Sequence, residues 1–513
     1  MELLTLSVSA SALAPPALML IVAFLCLSKT IPLKWLWKAF SILSVLALIA
    51  TAISPLLQLL MPAVSEHRLW MDGVAINPVQ SWMAILVQLL GTVIGIFSSR
   101  YLEGEHGQAR YIAAFSGVLV FVHVLLLADH WVVLIFAWIM IGVMLQRLLC
   151  FYPERPFAVL AAHKKNIADR IADILLITAA GLAWFDIGSG SLSALFAYVA
   201  HSEVSLMLHI SAVCLVLAVM IRTALFPVHG WLIQVMEAPT PVSALLHAGV
   251  INLAGFVLIR FAPLLQKVIV ASWLLVIFGL LTALLAGLVM LTRTSIKIRL
   301  AWSTVAQMGF MILECGLGLY TLAAMHLLGH SFYKAHAFLS SSSIVHQYKL
   351  RLLRMTGKVS PTSLILAPVV SIGLILFVKY MLINSTWPWW WSVILALAWA
   401  PMLWTVSYDG KPHSVHFITG PMMIVILAVM ASLLHHFPFG TTDIVNTQTG
   451  IFALIGMAVM YSMLVILKLK PSRISAFQRW SYAGFYVDEA YTRLALKLWP
   501  INWASSQPLS NKS

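Results

Sequence analysis

Charge is what this sequence has least of. Asp, Glu, Lys and Arg together make up 9% of the 513 residues, against 61% hydrophobic, where a soluble protein carries about 25% charged residues. That excludes a large water-soluble enzyme and leaves a polytopic membrane protein. Cysteine is scarce as well. Cys26, Cys150, Cys214 and Cys315 stand singly, without CxxC or CxxH spacing, so zinc, an iron–sulfur cluster and a disulfide frame find no support. They read as small apolar packing residues. The GxGxxG, Walker, haem-type and flavin-type signatures are missing, and with them any visible nucleotide or redox chemistry. No cofactor and no bound metal are expected in this chain.

Acidic residues are the rarer charge: 17 against 31 Lys and Arg, a formal net charge of +14. Nucleic acid is not the partner this implies. In so apolar a chain a basic excess fits cytoplasmic loops, where Lys and Arg gather. The first apolar segment has no basic stretch ahead of it and a second follows closely, so it reads as a retained helix and not a signal peptide.

Apolar stretches long enough to cross a bilayer need roughly 18 residues. They fall near 8–28, 37–61, 78–98, 111–128, 131–150, 170–187, 204–226, 242–262, 268–291, 300–318, 321–345, 363–383, 387–406, 416–436 and 450–469. Lipid offers the backbone no hydrogen-bond partner, so each must be a helix. The expected fold is all-α, with about 14–15 transmembrane helices. Basic residues cluster at Lys29/Lys34, Arg147 to Lys165, Arg293/Lys297/Arg299, Lys349/Arg351/Arg354/Lys358 and Lys468/Lys470/Arg473. Alternating spans put all five clusters on one side, opposite loops 187–203 and 437–449, which are nearly free of Lys and Arg. The N-terminus is then outside and the C-terminus cytoplasmic. No soluble domain is visible, and the polar tail from Pro471 shows a short amphipathic stretch without an evident core.

A lone charge at the bilayer centre costs at least about 2.5–3.5 kcal/mol, so charges inside the spans are informative. In "ADRIADILLITAAG", Asp169 and Asp173 lie one helical turn apart with Arg170 between them. They form either a cytoplasmic helix cap with a local ion pair or charges with a functional role at the opening of the span. In "VMIRTALFPVHGWL", Arg222 stands in an apolar run five residues before Pro227, which breaks the helix. It is either a cation beside unwound backbone or a snorkelling arginine. In "PTPVSALLHAGV", Pro239 and Pro241 suit a helix start and place His247 about two turns inside. There it acts as a proton relay or as a hydrogen-bonded packing residue. The strongest constellation is "MHLLGHSFYKAHAFL". His326, His330 and Lys334 are spaced i, i+4, i+8, hence on one helix face. No carboxylate separates the histidines as in HExxH, and a lysine on the same face disfavours a dication. Polar residues at mid-membrane, broken helices and no cofactor point to ion translocation.

The strings "LLADHWVVLIFAWIMIG", "DRIADILL", "RTALFPVHGWLIQVMEAPTPVSALLHAG", "KIRLAWSTVAQMGFM" and "HLLGHSFYKAHAFL" resemble the proton-translocating antiporter-type subunits of respiratory complex I and Mrp antiporters. The likeness covers roughly residues 78–350. It implies two inverted five-helix repeats with broken helices, the first about 78–226 and the second from about 242. Residues 1–77 and 351–470 would be flanking transmembrane helices and 471–513 a cytoplasmic tail. It also implies ion-path roles for Arg222, His247, Lys297, His326, His330 and Lys334, with Asp169, Arg170 and Asp173 as supporting charges. "GFYVDEAYTRLALKLW" resembles the segment after the last core helices of the L-type subunit.

Two departures stand out. The family's glutamate partner of the broken-helix lysine is Ile139 here, and the lysine itself is Arg222, whose guanidinium (pKa above about 12) resists deprotonation. The chain also lacks a long lateral helix and a clear acidic–lysine motif over 363–406, where only Lys379 is a candidate. Such a shortened L-type subunit is similar to the DabB family, the membrane half of DAB inorganic carbon pumps. That family's partner is DabA, a zinc protein with a carbonic-anhydrase-like site on the cytoplasmic side of a bacterial inner membrane. The resemblance implies that H⁺ or Na⁺ flow through this chain drives CO₂ hydration to bicarbonate by the partner, and that this chain is not itself an enzyme. The competing expectation is a proton-pumping subunit of an NADH–quinone oxidoreductase, hydrogenase or Mrp-type complex.

Overall fold

Apolar runs deprived of water bond their own backbone, and in the computed structural model the chain is helical almost throughout. Residues 2–60, 67–68, 73–341, 358–383, 387–408, 411–412, 415–437, 442–469 and 475–501 are described. The helices are α1 (Glu2–Leu25), α2 (Leu33–Leu60), α3 (Pro78–Tyr101), α4 (Gln108–Leu127), α5 (Trp131–Leu149), α6 (Pro156–Ile187), α7 (Leu192–His201) and α8 (Leu206–Arg222). They continue with α9 (Gly230–Gln234), α10 (Thr240–Ala248), α11 (Leu253–Arg260), α12 (Ala262–Leu265), α13 (Ile269–Leu291), α14 (Ile296–Gly316) and α15 (Tyr320–Leu339). Beyond these lie helices Pro361–Phe377, Trp389–Trp399, Val415–His435, Thr447–Leu469, Ser475–Tyr482 and Val487–Leu498. Two short antiparallel ladders, one pairing His67 with Ile76 and the other Lys358 with Ser407, and two isolated bridges, Val74 with Ala128 and His130 with Ser191, are the β structure among the described residues.

Among the described residues ten helical segments are long and apolar enough to cross a membrane. The remaining five expected spans coincide with α6, α8, α14, α15 and Trp389–Trp399, which are charged or shorter. Among the described residues each expected span is therefore helical over most of its length, and the chain is a multi-pass membrane protein. The basic residues Lys349, Arg351, Arg354, Lys470 and Arg473 lie outside the described residues.

Burial sorts centre from rim. Over the 18-residue apolar stretch of each helix, 89% of the residues of α10–α11 and 78% of those of α4 are buried within the protein, against 22% for Thr447–Leu469. The first two are enclosed by other helices, so a polar group on any of their faces meets protein. Lipid-facing helices show the opposite, with Ile171, Ile174 and Phe185 of α6 all exposed.

Three segments are broken. After Arg222 the chain unwinds through Thr223–His229, with Ala224 in the left-handed region at φ 54°, before α9 resumes at Gly230. A single 3₁₀ turn, Val250–Asn252, interrupts the central segment between α10 and α11. Helix Pro361–Phe377 runs into a π-helical turn, Val378–Ile383, that carries the buried Lys379. π turns of this kind mark functional positions more often than chance.

Two boundaries differ from expectation. Helix α6 begins at Pro156, not near 170, so Lys164 and Lys165 are buried helical residues and not loop cations. Pro156 in the first helical turn sacrifices no hydrogen bond, and both lysines have partners inside the protein, so neither needs water. The expected outer loop 187–203 holds α7, whose Ser191 side chain accepts from the Ala194 amide at 3.3 Å, an N-cap that starts a helix. The tail is also more than a solvated end, since Val487–Leu498 packs on α6 and α9.

Candidate ion-translocation site

The first cluster forms where α5, α6 and α8 meet. Asp169, Asp173 and Arg170 share one side of α6, and the broken end of α8 brings Arg222 to them. Arg222 Nε lies 3.6 Å from Asp169 Oδ1, and its Nη1 donates to Asp173 Oδ1 at 3.3 Å. Nη2 donates to the Trp138 carbonyl at 2.5 Å, and the guanidinium lies 4.7 Å from the Trp138 ring. Gly142, one turn after Trp138, makes the approach possible: a Cβ there would stand 3.0 Å from Asp169 Oδ2 and 3.1 Å from Arg222 Nη2. Arg170 pairs with Asp173 at 2.9 Å while 41% exposed. Asp169 and Asp173 are therefore members of a buried network and not a helix cap. Ile139 takes no part in it; the carboxylates come from α6 instead.

Lys165, absent from the expected site, completes this network. Its Nζ donates to Asp169 Oδ2, and the side chain is 3% exposed. Lys165, Asp169 and Arg222 line a cavity of about 20 Å³ closed by Trp138 and Trp231, room for about one water molecule. The preceding residue turns the other way. Lys164 Nζ donates to Asp488 at 2.5 Å and to Thr492 at 2.8 Å on the C-terminal helix.

The second cluster runs along α15. His330 and Lys334 are 6% and 0% exposed, while Phe332 and Tyr333 between them are 49% and 59% exposed. The stripe thus faces protein and the aromatic side faces lipid. Lys334 Nζ donates to the Leu300 carbonyl of α14 at 3.0 Å. One turn earlier on α14, Lys297 donates to Thr240 Oγ1 of α10 at 2.9 Å. The rings of His326 and His330 are 6.2 Å apart, and α10 delivers His247, stacked at 4.6 Å on Phe338, one turn beyond Lys334. Both ring nitrogens of His247 and of His330 lack a hydrogen-bond partner among the described residues.

Sequence reasoning missed three further groups. Glu314, buried near the end of α14, hydrogen-bonds His326 Nδ1 at 2.8 Å; a carboxylate inside "GFMILECGLG" is itself the signal. His229 lies in the first break, buried, with its ring 4.0 Å from Phe226 and 4.9 Å from Trp302. Arg260 and Asp129 form a buried pair at 3.6 Å, and Ser193 donates to Asp129 at 2.7 Å. Lys379, the late candidate, stands apart from both clusters, donating to the Trp387 carbonyl at 2.5 Å. Among the described residues no His, Cys, Asp and Glu group could hold a metal ion.

Buried charges beside broken helices of membrane-crossing length are what an antiporter-like transporter subunit presents. Residues 128–378 match the family described as NADH:quinone oxidoreductase/Mrp antiporter, TM. The chain is 38% identical over 444 residues, 83% of either chain, to a protein named "Probable inorganic carbon transporter subunit DabB" of Hydrogenovibrio crunogenus. It belongs to the DabB family. A second relative, "Probable inorganic carbon transporter subunit DabB2" of Halothiobacillus neapolitanus, is 46% identical over 273 residues, 53% of this chain and half the length of that protein. The Mrp complex from Dietzia sp. DQ12-45-1b shares the fold, with a TM-score of 0.57 over 96% of this chain and 55% of that one, at 21% identity.

Proposed function

We propose that this chain is the cation-conducting membrane subunit of an energy-coupled inorganic carbon uptake complex, and that H⁺ or Na⁺ moving through it drives CO₂ hydration by a soluble zinc-bearing, DabA-like partner on the cytoplasmic face. In this reading it sits in a bacterial inner membrane with its N-terminus outside and its C-terminus in the cytoplasm. The observation that carries the reading is the α15 stripe, turned into the protein with its two central groups buried. A structural helix has no need of Lys334 there, since burying an ammonium costs several kcal/mol even after relaxation (about 2.5–3.5 kcal/mol on insertion scales).

His326, His330 and Lys334 then form a relay up α15, joined by His247 across the α10 contact. An imidazole can take a proton on one nitrogen and release it from the other, and the four unbonded ring nitrogens of His247 and His330 are free to do so. Glu314 fixes the orientation of His326 at one end. Lys297 and Thr240 lie at the other, one turn before the Leu300 carbonyl. The names of the relatives support inorganic carbon as the cargo and membership of a multi-subunit complex; the zinc-bearing partner rests on the family resemblance, and the geometry supports the ion path.

Lys334→Ala and His330→Ala are each expected to abolish coupled carbon uptake while the complex still assembles. Normal uptake in either variant refutes the path. Purification from the native membrane tests the partner: a large soluble zinc protein is expected, and iron–sulfur subunits linked to quinone would overturn the carbon-pump reading in favour of a respiratory arm.

A further inference from the structure

We infer that Lys165, and not Arg222, is the proton-exchanging cation of the first cluster, with Asp169 as its exchange partner and Arg222 as a fixed counter-charge. The inference rests on the transport reading above and assigns a role to a residue that reading does not use.

The argument starts from the two oxygens of Asp169. Oδ2 accepts from Lys165 on the same helix face, and Oδ1 faces Arg222 at 3.6 Å. One carboxylate is shared by two cations of different chemistry. A guanidinium keeps its proton at any pH a protein meets, whereas a lysine amine can give its proton up. Only one of the two can take part in exchange. Arg222 is also the more firmly held, by Asp173 at 3.3 Å, the Trp138 carbonyl at 2.5 Å and the Trp138 ring. Lys165 has Asp169 and, 5.6 Å away, the Trp231 ring.

The surroundings are otherwise apolar. The groups facing Lys165 are Asp169 and Asp173 from α6, Arg222 from α8, Trp138 from α5 and Trp231 from α9. The central helices contribute Leu246, Val250 and Ile251. The cavity these enclose touches both Lys165 and Asp169, so a proton can reach or leave the pair there. Lys164, the next residue, is tied to Asp488 and so marks the end that faces the C-terminal helix.

The step needs only water as proton carrier. The proton passes from Lys165 Nζ to Asp169 Oδ2, turning ammonium and carboxylate into amine and carboxylic acid with no change in net charge. The acid then gives that proton to a water molecule in the cavity, forming hydronium, and the amine takes a proton from a second hydronium, leaving water and restoring the ammonium and carboxylate.

The test uses the assembled complex in proteoliposomes with an internal pH-sensitive dye. Lys165→Arg keeps the charge and removes the exchange, so proton flux is expected to fall about 100-fold or more. If Lys165→Arg does not assemble, the double variant Lys165→Gln with Asp169→Asn removes both charges together and is expected to lose flux equally. Wild-type flux in Lys165→Arg or in the double variant overturns the inference. Lys334→Ala is measured alongside: normal flux there refutes the transport reading, whereas normal flux in Lys165→Arg with Lys334→Ala inactive refutes only this assignment.

Discussion

Replacing Asp488 by Asn should release the C-terminal helix from the membrane body. The Lys164 side chain is fully buried and Asp488 is 28% exposed, with Nζ and Oδ1 2.5 Å apart. Gln234 Nε2 donates to the other carboxylate oxygen at 3.1 Å. Gly230 provides the seat, since a Cβ there would lie 1.3 Å from Asp488 Oδ1. Breaking a fully buried pair from one side costs about 3–5 kcal/mol. Here Asp488 keeps some contact with water, and Lys164 retains Thr492 and Gln234 at 2.8 and 3.3 Å. The cost should fall to roughly 2–3 kcal/mol. That corresponds to about a 30- to 150-fold shift in the docking equilibrium. Hydrogen exchange over residues 487–498 in the purified complex reads it directly, as faster exchange of amides that docking protects. Exchange as slow as in the wild type refutes the reasoning. The combination Lys164→Met with Asp488→Leu removes both charges and should recover most of the protection, which separates the loss of the pair from general damage to the helix.

Gly142→Ala places a methyl 3.0 Å from Asp169 Oδ2 and 3.1 Å from Arg222 Nη2; overpacking of about 1–3 kcal/mol should lower the melting temperature, and an unchanged melting curve counts against the close approach. Asp129→Asn leaves the buried Arg260 with the Leu126 carbonyl at 3.2 Å and no anion, so a loss of about 3 kcal/mol is expected in thermal unfolding, with a neutral result refuting the pair. Glu314→Gln preserves a hydrogen bond to His326 and removes the charge, so assembly should be normal and ion flux reduced; flux equal to wild type would show that Glu314 only positions the ring.

The spans were legible because lipid leaves a chain few options, and α15 was legible because i, i+4, i+8 is a local pattern. What local patterns cannot supply is a partner. Lys164 and Lys165 read as loop cations beside Arg147, yet the anions that let them stay inside are Asp169, one turn on, and Asp488, 324 residues away. The first of these was within reach of sequence, since Lys165 and Asp169 are spaced i, i+4. The second was not. Arg222 stands out in the sequence by its place before a helix break, and the family's carboxylate position on α5 holds Ile139, so its pairing with Asp169 and Asp173 is not visible there. The fold delivers them from α6, which is apolar on its lipid side and charged on its inner one.

The two clusters obey different electrostatics, and that decides how each can be probed. In the first, the buried members close on themselves: Lys165 and Arg222 face Asp169 and Asp173, while Arg170, 41% exposed, is screened by solvent. Removing any single member orphans a buried charge, which costs several kcal/mol (about 3–5), so a failed variant there is as readily a folding defect as a transport defect. In the second, Lys334 is bonded to a carbonyl, and the described residues give it no carboxylate within ion-pair distance. Deleting its charge orphans nothing. Lys334→Ala should therefore assemble and still not conduct, whereas changes in the first cluster must be made in charge-conserving or paired form to say anything about ions.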